Sequence, residues 1–451
     1  MNFLKLFIFR LAVNPLSWVL VHIFLRLLLL NYAKFLEGDD GARYLTTAVN
    51  LIHHRIFSYD LSDDPSATAH DMPFFPFWLA TLILFSEGIK NAVFLSSFFN
   101  IFFFGLTCWA IYLLSWKLFK KASISLVAVI TFGFFPETFP YTLFSMPDIL
   151  FLTFFTWSLL FVVEYFQTLK NKYLIFLSFF IGFAVMTKPI GFTFVFIYLI
   201  SIFTWFFFVR KEVLRGIQMS IIFVILFSAI ISPWIVRNFV TFGQVGISSI
   251  FGENLFYYNY YYLLQDKYPG EADFLLHNKR DILLKELSDE QISNPMTVSS
   301  RLGSFAKAEI FSNFIDYAET TLKRHPRLYI GTGTLALFSL LGEEGVVTEL
   351  EQFLLNQKDF YKLSSPILLV QCFSWVILAI LYLACLFGTI KLVINKKWTQ
   401  LLVLFGVIAV FIVIIGPVTH TRYRFVLLPT LSILAAYGFN NFFYQQKSRI
   451  K

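Results

Sequence analysis

Residues 37–79 read EGDDGARYLTTAVNLIHHRIFSYDLSDDPSATAHDMPFFPFWL. The stretch gathers Asp39, Asp40, Arg43, His53, His54, Arg55, Asp60, Asp63, Asp64, His70 and Asp71 into a chain of which only 14% is charged. Its flanks are apolar. Leu16–Ala33 precedes it, close to the roughly 20 residues a helix needs to cross the hydrocarbon of a bilayer. Pro73–Phe85 follows it and is about two-thirds of that length, which suits a helix lying in the membrane interface. The stretch therefore reads as the first loop of a membrane-embedded chain.

Composition agrees. Of the 451 residues 57% are hydrophobic and 20% aromatic, with 59 Phe, whereas a soluble globular domain carries about 25% charged residues. Apolar runs of this length satisfy their backbone groups in lipid only as helices or closed barrels, and bundled helices are expected here. The net charge of +8 sits in short clusters between apolar runs and reads as positive-inside topology, not as a nucleic-acid face. Cys108, Cys372 and Cys385 lie in apolar runs without CxxC spacing and read as packing residues. Lys5 and Arg10 precede an apolar run that lacks a small-residue cleavage site, so this run reads as a retained first span.

That start places the N-terminus in the cytoplasm and residues 37–72 outside. Ala92–Leu114 then leads to Lys117, Lys120 and Lys121; Ile124–Phe135 to the polar turn Pro136–Asp148; and Ile149–Phe166 to Lys170 and Lys172. Tyr173–Met186, the turn Thr187-Lys188-Pro189, and Ile190–Phe208 ending at Arg210, Lys211 and Arg215 follow. Ile217–Ile231 runs outward to Ser232-Pro233-Trp234. From Arg237 to about Ser364 charges of both signs are interspersed, as in a small aqueous segment. It contains the short apolar run Tyr329–Leu341, followed by Glu343, Glu344, Glu349 and Glu351, which reads as an interfacial helix. Pro366–Leu392, Leu401–Ile415 and Phe425–Phe443 complete the chain and return it to Lys447, Arg449 and Lys451.

The expected fold is an all-α polytopic bundle of about ten or more spans with both termini cytoplasmic. Residues 1–238 form an N-terminal membrane bundle with a first outer loop, 37–72, and an interfacial helix, 73–85. Residues 239–363 form an extracytoplasmic segment and 364–451 the C-terminal spans.

This topology brings acids and cations to one face: Asp39, Asp40, Arg43 and Asp71 from the first loop, Asp148, Lys188, Arg237, and His420, Arg422 and Arg424 from the last loop. Ionisable groups at membrane depth are costly and usually have a task or a partner. A carboxylate facing cations suits group transfer from an anionic lipid-linked donor. The acid removes a proton from an incoming hydroxyl while the cations stabilise a departing phosphate. Interfacial Arg and Lys equally serve as helix-end anchors. His22 and Arg26, four apart on the first span, must face the bundle. The patch Phe256–Tyr262 reads either as a sugar-stacking surface or as packing.

The spacing Asp40-x-x-x-Tyr44 followed by Asp71-Met72-Pro73 resembles the first outer loop of the GT-C glycosyltransferases. The branch most similar is glycosyltransferase family 39, with its protein O-mannosyltransferases and bacterial aminoarabinose transferases. Thr187-Lys188-Pro189, Pro233-Trp234-Ile235-Val236-Arg237-Asn238 with Phe242-Gly243, His325-Pro326, and Arg422-Tyr423-Arg424-Phe425 with Pro429 occur in the order of that family's landmarks. The resemblance implies a GT-C-like helical bundle with interfacial helices in the first outer loop, a polyprenyl-phosphate-sugar donor, inversion at the anomeric carbon, and a lipid, glycan or protein acceptor hydroxyl. It further implies a multi-pass protein of a bacterial inner (plasma) membrane with its site facing the periplasm or exterior. On this mapping Asp40 is the general base and Asp71 the acid before the prolines, and Arg43, Tyr44, His70, Asp148, Lys188, Arg237, His420, Arg422 and Arg424 are substrate-binding candidates.

The chain departs from the pattern at Met72, where relatives carry a cation, and in its split prolines Pro73 and Pro76. The donor phosphate must then find charge elsewhere, at Arg43, His70 or the Arg422/Arg424 pair. No cofactor is expected; the alternative is a divalent metal held by Asp39, Asp40 and Asp148. The rival function is a secondary transporter or lipid flippase, which predicts charge near the bilayer midplane and a two-fold repeat. No nucleic-acid partner is expected.

Overall fold

The computed structural model describes residues 14–33, 38–86, 88–343, 345–347, 350 and 364–449, with the backbone alone for 38, 39, 365, 366 and 443–449. Expectations resting on Lys5, Arg10, the Asp39 side chain, Glu344, Glu349, Glu351, Lys447, Arg449 and Lys451 lie outside what is described. The helices are α1 (Pro15–Leu30), α2 (Gly38–His53), α3 (Phe74–Ser86), α4 (Ile89–Phe119), α5 (Ala122–Gly133), α6 (Pro140–Leu143), α7 (Asp148–Thr168), α8 (Asn171–Thr187), α9 (Gly191–Thr204) and α10 (Val213–Phe242). Next come α11 (Ile250–Asn254), α12 (Tyr261–Lys267), α13 (Ala272–Lys285), α14 (Asp289–Ile292), α15 (Pro295–Ser312), α16 (Phe314–Ile330), α17 (Thr334–Leu341), α18 (Ser365–Ile394), α19 (Trp398–Ile415), α20 (Thr421–Phe425) and α21 (Leu428–Arg449). No strand occurs among the described residues.

Six of these helices are long and apolar enough to cross a membrane, seven if the bent pair Ala122–Gly133 and Pro136–Leu143 counts as one span. Each of the ten expected runs lies on a helix. The centre is α7, packed between α4 and α8, with α5 and α1 against α4, and α21 against α5 and α18. Phe rings fill the gaps edge to face, as Phe155 on Phe194 at 4.5 Å, a geometry that satisfies the ring quadrupoles. Polar side chains inside the bundle bond locally or across helices. Thr156 donates to the Leu152 carbonyl at 2.7 Å, and the Thr107 and Thr153 hydroxyls join α4 to α7 at 2.8 Å. Outer helices expose apolar residues such as Leu214, Ile225, Leu383 and Leu402, the signature of a lipid-facing surface.

The basic turns meet at one end of the bundle. Lys117 pairs with Glu164 at 2.5 Å, Gln400 caps the Leu118 carbonyl at 3.0 Å, and Ser123 bonds Asn440 at 3.0 Å. At the opposite end the first loop folds as α2 and α3, with Tyr44, Ala48, Phe75, Leu79 and Leu150 as a local core. The segment after α10 has its own small core of Phe256, Leu263, Leu276, Leu302 and Ala306. Within the patch Phe256–Tyr262, Phe256 and Tyr260 pack on Phe305 in that core.

Three stretches differ from the sequence reading. The helix expected to stop at Ser232-Pro233-Trp234 continues to Phe242. Pro233 lacks the N–H that would serve the Ala229 carbonyl, and the Ser232 hydroxyl reaches that oxygen at 3.5 Å. The turn Pro136–Asp148 is buried, and its Glu137, Thr138, Thr142 and Ser145 have no exposure. It follows a 67° bend after Gly133 that frees backbone acceptors. Arg26 fills this need, donating to Gly133 O at 3.1 Å and Thr138 Oγ1 at 2.6 Å while lying 3.5 Å over the Phe104 ring. Finally, Tyr329–Leu341 is split at Gly331 into the end of α16 and the short α17.

Candidate active site

Local chemistry sets each side chain of the site. Lys188 precedes Pro189, which disfavours the helical backbone; it ends α8 in the extended region (φ −143°, ψ 131°) and leaves the helix line. Asp148 opens α7 directly after Pro147, at the positive end of the helix dipole. Asp40 and Arg43 sit three apart near the start of α2, neighbours on one face. The Nδ1 of His420 caps α20 by accepting the Arg422 N–H at 3.1 Å.

These residues join into one alternating ladder. Arg43 binds Asp71 through Nε at 2.7 Å and Nη2 at 3.0 Å, and its Nη1 donates to Asp40 Oδ1 at 2.8 Å. Arg422 donates from Nη1 to Asp40 Oδ2 at 2.7 Å and holds Asp148 with Nε and Nη2 at 2.9 and 2.8 Å. Lys188 Nζ closes the series on Asp148 Oδ1 at 2.6 Å. The order is Asp71, Arg43, Asp40, Arg422, Asp148, Lys188, three carboxylates and three cations. Its flanking acids are sealed, Asp71 2% and Asp148 1% exposed, whereas Asp40 in the middle is 39% exposed. The ladder therefore presents one accessible carboxylate between two fixed guanidiniums.

Burial by itself would raise the Asp40 carboxyl, but the Arg422 and Arg43 guanidiniums outweigh it and hold the group below the usual carboxylate range. Burial opposes the charge on Arg422, and the Asp148 and Asp40 carboxylates reverse that and keep it firmly protonated. Tyr44 lies edge-on to Phe75 at 5.4 Å, and burial together with the nearby Asp71 charge holds its hydroxyl neutral.

The other candidates lie outside the ladder. Arg424, two residues from Arg422, points away from it and is fully buried with Glu137. Its remaining donors reach the carbonyls of Leu328 at 3.1 Å, Tyr329 at 2.6 Å and Gly331 at 2.5 Å. Gly333, at φ +72°, packs so closely that a Cβ would strike Glu137. Arg237 clamps the first loop, donating to Thr68 O at 2.7 Å and Phe57 O at 3.4 Å with Trp234 at 4.9 Å under its guanidinium. His70 pairs with Glu253 at 3.0 Å and, with the Ser249 N–H on Ala69 O at 2.8 Å, ties that loop to the segment after α10. Glu137 escaped the sequence reading; its signal was an acid flanked on both sides by apolar runs.

Among the described residues no group of three His, Cys, Asp or Glu side chains is placed to hold a metal ion. The Asp40 and Asp148 oxygens are turned onto guanidinium and ammonium groups, while the Asp39 side chain, the third member of the expected alternative, lies outside the described residues.

Residues 71–236 match the family model described as dolichyl-phosphate-mannose-protein mannosyltransferase, a region that includes Asp71, Asp148 and Lys188 but neither Asp40 nor Arg422. Among solved structures the oligosaccharyltransferase of Archaeoglobus fulgidus, crystallised with zinc and sulfate, superposes with a TM-score of 0.52 at 13% identity. That match covers 96% of this chain, which spans half the length of the archaeal enzyme (50%). ArnT from Cupriavidus metallidurans bound to undecaprenyl phosphate matches at 12% identity and a TM-score of 0.38, over 95% of this chain and 77% of that one. No curated protein sequence matches. The chain is thus a multi-pass membrane protein of GT-C fold that resembles the glycosyltransferases of that superfamily, with its match to a family model among the O-mannosyltransferases.

Proposed function

We propose that this protein transfers a sugar from a polyprenyl-phosphate-sugar donor to an acceptor hydroxyl on a lipid, glycan or protein, at the extracytoplasmic face of a bacterial inner membrane. The observation that carries the reading is the ladder, with Asp40 as its accessible carboxylate flanked by Arg43 and Arg422. Asp40 accepts the proton of the acceptor hydroxyl as its oxygen bonds to the anomeric carbon. The bond from that carbon to the phosphate oxygen breaks, and the phosphate leaves with the electron pair. A single displacement of this kind inverts the anomeric centre. The leaving phosphate meets guanidinium N–H groups fixed by the buried Asp71 and Asp148, charge stabilisation that is in place before the reaction.

A phosphate drawing on Arg43 or Arg422 competes with Asp40 for the same N–H donors. Asp40 then loses counter-charge and gains basicity, so donor binding itself readies the base. The scheme draws its positive charge from Arg43, Arg422 and Lys188 and calls on no metal. The test is transfer of radiolabelled sugar from a panel of polyprenyl-phosphate sugars by the purified protein, beside Asp40→Asn, with and without chelator. Donor consumption by the wild type alone, unchanged by chelator, is expected. Donor that binds but is never consumed, even with extracted cell-envelope acceptors, would replace this reading with the flippase.

A further inference from the structure

We propose that α16, which belongs to the segment read as aqueous, is a membrane-surface helix whose apolar stripe lies among the acyl chains of the leaflet at the site end. The helix has three faces. Thr320, His325 and Leu328 are buried in the protein, and Tyr317 donates to Asn259 Oδ1 at 2.6 Å. Asp316, Glu319, Lys323 and Arg327 form an exposed charged face, with Lys323 paired to Glu319 at 2.7 Å. Between the two lie Phe314, Ile315 and Leu322, with Phe311 from the last turn of α15 just ahead, all between 61% and 80% exposed. Large side chains at such spacing and exposure have no reason to face water.

Position supplies the occupant. The first turn of α16 meets the end of the spanning helix α19, where a Cβ on Gly416 would strike the Tyr317 hydroxyl. Its last turn is fastened to the spanning helix α18: Tyr382 donates to Tyr329 O at 3.0 Å and Trp375 Nε1 to Ile330 O at 3.1 Å. At that level α18 exposes Leu369, Phe373 and Val376, so the stripe continues the lipid-facing surface of the bundle. A helix held by two spans, near its start and at its end, and apolar on the side left open, fits a bilayer surface.

The test uses the full chain in vesicles of phosphatidylethanolamine and phosphatidylglycerol and needs no transfer activity. Cys108 and Cys385 are buried and Cys372 is exposed, so a Cys372→Ser background accepts single spin labels at Phe314→Cys, Ile315→Cys, Leu322→Cys and Glu319→Cys. Collision with oxygen relative to a water-soluble nickel chelate should be severalfold greater at the three stripe positions than at Glu319→Cys. Equal, chelate-dominated values at all four would overturn the proposal, as would dipolar broadening showing the stripe against a second copy. Should labelling disturb the fold, benzoylphenylalanine at position 314 decides instead. Photo-crosslinks to phospholipid support the proposal, and crosslinks to protein alone refute it.

Discussion

Replacing Asp40 and Asp148 separately by Asn should divide chemistry from stability along the ladder. Asp148 is 1% exposed and accepts three charge-assisted bonds, two from Arg422 and one from Lys188. Neutralising it leaves Lys188 without a carboxylate and Arg422 with Asp40 alone, and breaking such a buried pair costs about 3–5 kcal/mol. Asp40 is 39% exposed and accepts one bond from each arginine, each of which keeps a bidentate partner in Asp71 or Asp148. Pairs of that exposure contribute about 0.2–1 kcal/mol each, so Asp40→Asn should lose no more than about 2 kcal/mol. Loss of a general base, by contrast, slows the reaction roughly 10²–10⁴-fold. Denaturation midpoints of the two variants in one detergent, set beside single-turnover donor consumption, read both quantities. Asp40→Asn unfolding as readily as Asp148→Asn, or turning over donor at the wild-type rate, would refute the assignment.

The pH profile should show the same asymmetry. The folded-state Asp40 lies below its ordinary value, so its contribution to stability is complete above the unfolded pKa of about 3.9 and is lost as pH falls through the lower folded value. Turnover should hold on the acid side down to the ordinary carboxylate range, and Arg43→Gln should move the acid limb upward; an unmoved limb would contradict the coupling. Arg237→Ala removes the donors to Thr68 O and Phe57 O, bonds to a charged group of about 1.5–3 kcal/mol each. Limited proteolysis between residues 57 and 68 should accelerate and KM should rise more than kcat falls, whereas unchanged cleavage would mean the loop is held elsewhere. Arg424→Met should destabilise more than Glu137→Gln, because Arg424 serves the Leu328, Tyr329 and Gly331 carbonyls as well as Glu137. Equal midpoints would show that those carbonyls find other donors.

Much of this molecule is legible in the chain alone. The ten apolar runs all lie on helices, because a segment without polar side chains has few ways to satisfy its backbone in lipid other than as a helix. The alternation of basic turns separated the two ends, and it brought Asp40, Asp71, Asp148, Lys188 and Arg422 to the same end before any contact was known. Local rules also placed individual groups: Pro189 turned Lys188 off its helix, and Pro147 set Asp148 at the head of α7.

Tertiary structure decided which charges meet. Arg422 and Arg424 are near-identical signals in sequence, yet one faces the ladder and the other the sealed Glu137, since residues two apart on a helical turn point to different sides. Glu137 read as part of a polar turn and is buried, because Arg424, 287 positions away, provides the counter-charge. Pairings across such separations follow from how helices pack, and no local propensity encodes them. The sequence by itself determined a helical membrane bundle with its candidate carboxylates and their cations gathered at the end opposite the basic turns; the packing alone determined that Asp40 stands between two guanidiniums whose other carboxylate partners are closed to water.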